Sequence, residues 1–281
     1  MNRTEPSTTT LPASRPSVDR YARWTGLLVG ALAGIALAPL DGGDGVLYAI
    51  PAFGLCAVAG VLAGDALTPQ ARGAVRTAGL APRRVRDYVP PRMTAFLLAL
   101  AGAMVLLLAV AGAIASPDDL GRASRSLTVH CAQAAGTGGM RPLSQSAGPW
   151  PGLHYGLPIL GSLAVATAAC GWSLRRIATR PGDERSRRDR SLAVVAAWGL
   201  IVSASLLGAA STASGALMNL TCDGTAGTLS NWVLWPLAAA ALVTVPWTLV
   251  TVCSPVSSRA RHPVGTGHSG RTQRPAPGAR P

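Results

Sequence analysis

The sequence predicts an all-α, polytopic membrane helix bundle with six transmembrane helices, and three observations carry that expectation. Six apolar runs lie near the ~20 residues needed to cross a hydrocarbon core about 30 Å thick. None of them holds an acidic or basic residue at depth, and the arginines gather in alternate connecting segments. The composition agrees: 281 residues, 49% hydrophobic, a formal net charge of +13 and a mean hydropathy of +0.32 suit neither an ordinary soluble domain nor a disordered chain.

The spans fall at residues 24–40, 46–64, 94–115, 153–174, 191–218 and 232–253. Four arginines precede the short first run, which also fits a signal peptide. That reading fails because the polar turn Asp41-Gly42-Gly43-Asp44 leads straight into the next apolar run, with no small-x-small cleavage site before it. Spans one and two therefore form an antiparallel pair. Lipid tails give helices no hydrophobic reason to associate, so close backbone approach at small residues has to hold such a pair. Gly26, Gly30 and Gly34 form a stripe on the first span, and Gly60 and Gly64 repeat the spacing on the second.

On the fifth span Ser205, Gly208, Thr212 and Gly215 recur at i, i+3, i+7 and i+10. Two readings stay open, helix packing and a hydroxyl-lined solute path. Pro51, Pro158, Pro236 and Pro246 lie within spans, where each removes a backbone hydrogen bond and tends to kink the helix. Thr244, Thr248 and Thr251 stand near the last two and are expected to re-satisfy the freed carbonyls. Broken helices can line substrate sites in transporters.

Arginine placement sets orientation, because basic loops are retained on the cytoplasmic side. The amino-terminal tail holds four, the second loop six, the fourth loop seven and the carboxy-terminal tail five; the alternate segments hold only Arg122, Arg125 and Arg141, against five acids. Both termini are thus expected in the cytoplasm of a bacterial cell, with tails at 1–23 and 254–281 that are rich in Ser, Thr, Pro, Gly and Arg and read as disordered. Tyr21, Trp24, Trp172 and Trp247 fall near inner boundaries; Tyr48, Trp150, Tyr155, Trp232 and Trp235 fall at outer ones, as an aromatic belt requires. Trp198 is the exception.

Cys56, Cys170 and Cys253 lie in spans, whereas Cys131 and Cys222 lie in the two longer outer loops, 116–152 and 219–231. An oxidising compartment allows these two a disulfide; two free thiols are the alternative. Signatures of catalysis are missing, with no phosphate-binding loop, no nucleophile elbow, no His-Glu-x-x-His and no intramembrane carboxylate pair. His130, Cys131 and His154 lack a fourth metal ligand, and His262 and His268 stand alone in the tail. Asp65 and Asp41 read as interfacial. The expectation is a non-enzyme without cofactor or metal, and the confinement of arginine to loops argues against nucleic acid.

The segment 72–92 is the most distinctive in the chain, with six arginines and the run Tyr88-Val89-Pro90-Pro91. Together with the arginine-only composition and Ala/Gly-rich spans, it resembles the basic cytoplasmic loop of uncharacterised multi-pass integral membrane proteins from high-GC actinobacteria. The resemblance implies a multi-pass plasma-membrane protein and brings no activity or site residues with it. The basic loops suit anionic headgroups of the lipid bilayer, and Tyr88, Pro90 and Pro91 suit a partner-docking face, an aromatic anchor beside an extended proline segment. For function the sequence leans to a non-catalytic transport-associated component, permease-like or accessory. Its rival is a structural or envelope-associated interaction protein with no solute path.

Overall fold

The computed structural model describes residues 18–39, 45–67, 88–134, 140–179, 184–222 and 224–254. The outer parts of both expected tails, the polar turn at 40–44 and most of the basic loop, 68–87, lie outside the described residues. The element order is α1 (Val18–Leu37), α2 (Val46–Leu67), α3 (Pro91–Ile114), β1 (Leu127–Ala134), β2 (Met140–Ala147), α4 (Leu153–Thr179), α5 (Glu184–Met218) and α6 (Gly224–Cys253).

Five of these helices, α2 to α6, are long and apolar enough to cross a membrane. α1 falls short of the expected sixth because Asp19, Arg20 and Arg23 occupy its first two turns. Its apolar stretch from Trp24 to Leu37 covers roughly 21 Å at 1.5 Å per residue. The same helix corrects the tail expectation, since residues 18–23 are helical. The described part is also not wholly α: the segment expected as a plain outer loop contains an antiparallel hairpin, β1 paired with β2 from Leu127↔Ala147 to Ala134↔Met140.

The central element is α5. Ala193, Ala196, Ala197, Leu200, Val202, Leu206, Ala209, Ala210 and Ala213 are essentially inaccessible along its length, and α2, α3, α4 and α6 pack around it. A helix apolar all round suits this place, because every face meets another helix. The outer helices carry an exposed apolar belt, including Leu32, Ile35, Leu106, Val165 and Val243. A soluble domain rarely exposes so continuous an apolar surface, and acyl chains are its natural solvent. Arginine gathers at one end of the bundle and the hairpin at the other.

Pro51, Pro158, Pro236 and Pro246 all lie inside continuous helices. The threonines of α6 do not serve the freed carbonyls: Thr244, Thr248 and Thr251 donate to Ala240, Thr244 and Trp247, whereas Pro246 deprives Leu242. Each hydroxyl is satisfied by its own helix instead.

Candidate functional site

The hairpin is a platform with one buried and one open face. Successive strand residues point to opposite sides, so Leu127, Val129 and Cys131 share a face with Leu143, Gln145 and Ala147. His130, Ala132, Pro142, Ser144 and Ser146 look outward and are exposed. The inward face seals a small apolar cluster of its own, in which Leu127, Ala147 and Trp150 meet Ala111 of α3, Ala213 and Leu217 of α5 and Leu234 of α6.

Three fastenings fix the platform. Cys131 and Cys222 form a disulfide, their Cα atoms 5.8 Å apart, which ties β1 to the α5–α6 connection. Beside it the Gln145 amide donates to the Thr221 hydroxyl at 2.7 Å, and the Thr221 backbone N–H donates back to Gln145 at 3.0 Å. On the other side the Trp150 indole donates to the Ala111 carbonyl at 2.9 Å. That carbonyl belongs to the last turn of α3. Close approach completes the joint: a Cβ at Gly152 would run into the Ser124 carbonyl oxygen, so only glycine fits.

A polar turn precedes the hairpin. Asp118 accepts from the backbone N–H groups of Leu120 (3.0 Å) and Arg122 (2.7 Å) and from the Arg122 guanidinium (2.6 Å). Desolvation raises its carboxyl pKa, but these donors and the Arg122 charge together outweigh it and hold the group below the usual carboxylate range. Beneath the turn, Arg125 donates to His154 Nε2 at 2.8 Å, and the Tyr48 hydroxyl meets the same nitrogen. Since arginine only donates, Nε2 is assigned as the acceptor, which places the proton of a neutral imidazole on Nδ1. The rings of His154 and Tyr155 meet edge to face at 4.9 Å, with Tyr155 wholly buried. Tyr48, Trp150 and Tyr155 thus serve as internal joints between α2, α4 and the hairpin rather than as members of an interfacial belt.

At the opposite end the fastenings are ionic. Arg23, buried on α1, pairs with Asp19 and reaches the Val252 carbonyl of α6 at 3.4 Å. Asp65, two residues from the end of α2 and also buried, pairs with Arg190 of α5 at 3.2 Å. Arg187 donates to the Tyr88 hydroxyl at 3.3 Å, and the Ser191 hydroxyl donates to the Tyr88 carbonyl at 3.0 Å. These contacts correct the docking expectation, because Tyr88 is buried against its own α5 and is no exposed anchor. Pro90 and Pro91 do join it in lining a groove of about 770 Å³ between α3, α5 and α6.

The structure brings most of the glycine stripe together. A Cβ at Gly26 would stand 2.6 Å from the Gly60 Cα, one at Gly30 2.9 Å from the Phe53 carbonyl oxygen, and one at Gly64 2.6 Å from Asp19. Gly34 is different, its nearest neighbour being Ala49 at 3.9 Å, an ordinary contact that leaves room for a methyl. On α5, Gly208 is pressed against Ile50 of α2, with 2.5 Å between its would-be Cβ and Ile50 Cδ1, and the Thr212 hydroxyl bonds back to the Gly208 carbonyl at 2.9 Å. Ser205 is enclosed, and Gly215 has nothing within 4 Å of its Cβ position. Trp198, the outlier of the aromatic pattern, donates from its indole to Thr167 of α4 at 2.8 Å.

The sequence reading missed the hairpin and the ionic joints. The alternation Leu127, Val129, Cys131, followed by Gly136-Thr137-Gly138-Gly139, was the available signal for the former. The pairing of Asp65 with Arg190, 125 residues apart, has no local signature. Among the described residues no three His, Cys, Asp or Glu side chains gather closely enough to hold a metal ion. The chain matches no protein-family model, no curated protein and no solved structure.

Proposed function

We propose that this protein is a non-catalytic membrane scaffold that presents its disulfide-fastened hairpin outside the cell as an interaction surface. The observation that carries this reading is the filled centre of the bundle. α5 occupies the position where a permease keeps its path, with its alanine and leucine side chains packed on every side. The small-residue stripe of α5 favours packing over a solute path, since Gly208 meets Ile50 and the Thr212 hydroxyl is engaged by its own helix. The permease-like reading is accordingly the weaker of the two.

The same proposal includes α1 as a sixth span and places both termini in the cytoplasm of a bacterial cell. Gly26 against Gly60 holds α1 alongside α2, so the two share one depth, and the Arg23 charge is met by Asp19 one turn away. The even count agrees with the basic segments lying on one side.

A photo-crosslinking amino acid at Ser144, on the open hairpin face, tests the function, with the same group at lipid-facing Val165 as control. The expected result is one recurrent envelope protein captured from Ser144 and lost when Cys131 and Cys222 are both replaced by alanine. Capture of a transporter ATPase from the arginine-rich end, with only lipid adducts from Ser144, would return the protein to the transport class.

A further inference from the structure

We infer that the groove between α3 and α6 at the arginine-rich end binds one anionic phospholipid. α3 and α6 each pack on α5 more than on each other, which leaves a lateral opening of about 770 Å³ floored by Leu192 of α5. Its wall is apolar: Met93 and Phe96 come from α3 and Trp247 from α6, with the Phe96 and Trp247 rings 6.4 Å apart. Its rim is cationic, formed by Arg92 and Arg188. Arg92 has no ion-pair partner among the described residues. Among the described residues Arg188 meets only Glu184 as an ion-pair partner, at 3.2 Å, in a pair more than half exposed on both sides, which holds it weakly and leaves its guanidinium open to a phosphate.

Charge at the rim and hydrocarbon along the wall match an amphipathic anion rather than a soluble one. Phe96, Trp247 and Val250 are partly exposed on the outer helix surfaces, so the wall runs on into the apolar belt where acyl chains lie. An arginine fork suits a phosphodiester geometrically. A non-specific basic surface, by contrast, attracts anionic lipid by charge count and offers no shaped wall. The groove goes beyond the scaffold reading, whose hairpin crosslink stands or falls without it.

The test measures thermal unfolding of the purified full chain in mild detergent, with added phosphatidylglycerol, phosphatidylcholine or glycerol phosphate. Phosphatidylglycerol is expected to raise the unfolding temperature by several degrees, and the other two to leave it unchanged. The double variant Arg92→Gln/Arg188→Gln loses the shift, while Arg175→Gln/Arg176→Gln, exposed at the same end, keeps it. Val250→Trp, which fills the groove without altering charge, also loses it and decides the matter if the arginine variant fails to fold. Equal loss in the Arg175/Arg176 control, a full shift with Val250→Trp, or a shift with glycerol phosphate or phosphatidylcholine overturns the proposal.

Discussion

At the hairpin end the chain is fastened by bonds indifferent to salt: a disulfide, an indole on a helix-end carbonyl and an apolar cluster sealed by Leu127 and Trp150. At the arginine-rich end the same helices are fastened by charge, through Arg23 with Asp19, Asp65 with Arg190, and Arg187 on Tyr88. The difference follows from what each connecting segment contains. The hairpin segment has enough residues to fold on itself and bury an apolar face, so its stability resembles that of a small extramembrane domain. The opposite end carries most of the arginines, and their charges can lie against the helix ends only where a carboxylate or a phenol hydroxyl meets them. One end is therefore held by covalent and apolar contacts, the other by internal contacts of charge.

The largest expected effect that would break this contrast is on the disulfide. Cys131→Ser or Cys222→Ser opens a loop of 91 residues. A chain-entropy account gives about 4–5 kcal/mol for a loop of that size, reduced to about 2–4 kcal/mol here because α4 and α5 stay embedded even when the tertiary fold is lost. Hydrogen exchange should quicken across 127–147 while the amides around Asp65 and Arg190 keep their protection. In cells, both thiols should resist a membrane-impermeant reagent until reduction. Equal loosening of both ends would mean that the two are not separately fastened.

The next effect belongs to the arginine-rich end. Arg190→Gln takes one cation away from the buried Asp65, at a cost of about 3 kcal/mol, the low end for breaking a buried pair, because Arg190 is a quarter exposed. Asp65→Asn should cost less, since the arginine it abandons can turn toward headgroups or water. Thermal unfolding of the two variants in one detergent checks the order. The reverse order would show that the Arg190 charge, rather than that of Asp65, is the trapped one.

Much of this architecture was legible in the sequence because membrane spans are written as composition. The positions of α2 to α6 follow from apolar runs alone, and the crowding of Gly26 on Gly60 follows from glycines four apart. What composition does not encode is the depth at which a polar residue comes to rest. Tyr88 beside two prolines reads as an exposed anchor, yet a guanidinium 99 residues away turns it inward. Gly34 continues the stripe in sequence but not in space, because α1 and α2 have diverged by the time they reach it. Asp19, Arg20 and Arg23 look like part of a tail when counted as topogenic charges, though two of them pair on one helical face as i and i+4. The hairpin was hidden for another reason: its alternation is short, and a long loop between two spans draws no attention to a period of two.

The smallest effect sharpens the contrast within the hairpin end itself. The Asp118 turn is an ionic joint at that end, and Asp118 has a folded-state pKa lowered from the ordinary carboxylate value by its donors despite the opposing desolvation. A depressed acid contributes stability that is fully present above its unfolded pKa and is lost as pH falls through the folded one. The turn should thus be intact at neutral pH and open only below the usual carboxylate range. The amides of Leu120 and Arg122, which donate to this carboxylate, should then exchange faster at acid pH than the intrinsic rate predicts. Asp118→Asn should abolish that extra acid sensitivity. The strands themselves, held by Cys131–Cys222 and by Trp150, should stay protected at the same pH. Melting of the whole hairpin together with the turn would show that the Asp118 turn, and not the disulfide, is what keeps the platform in place.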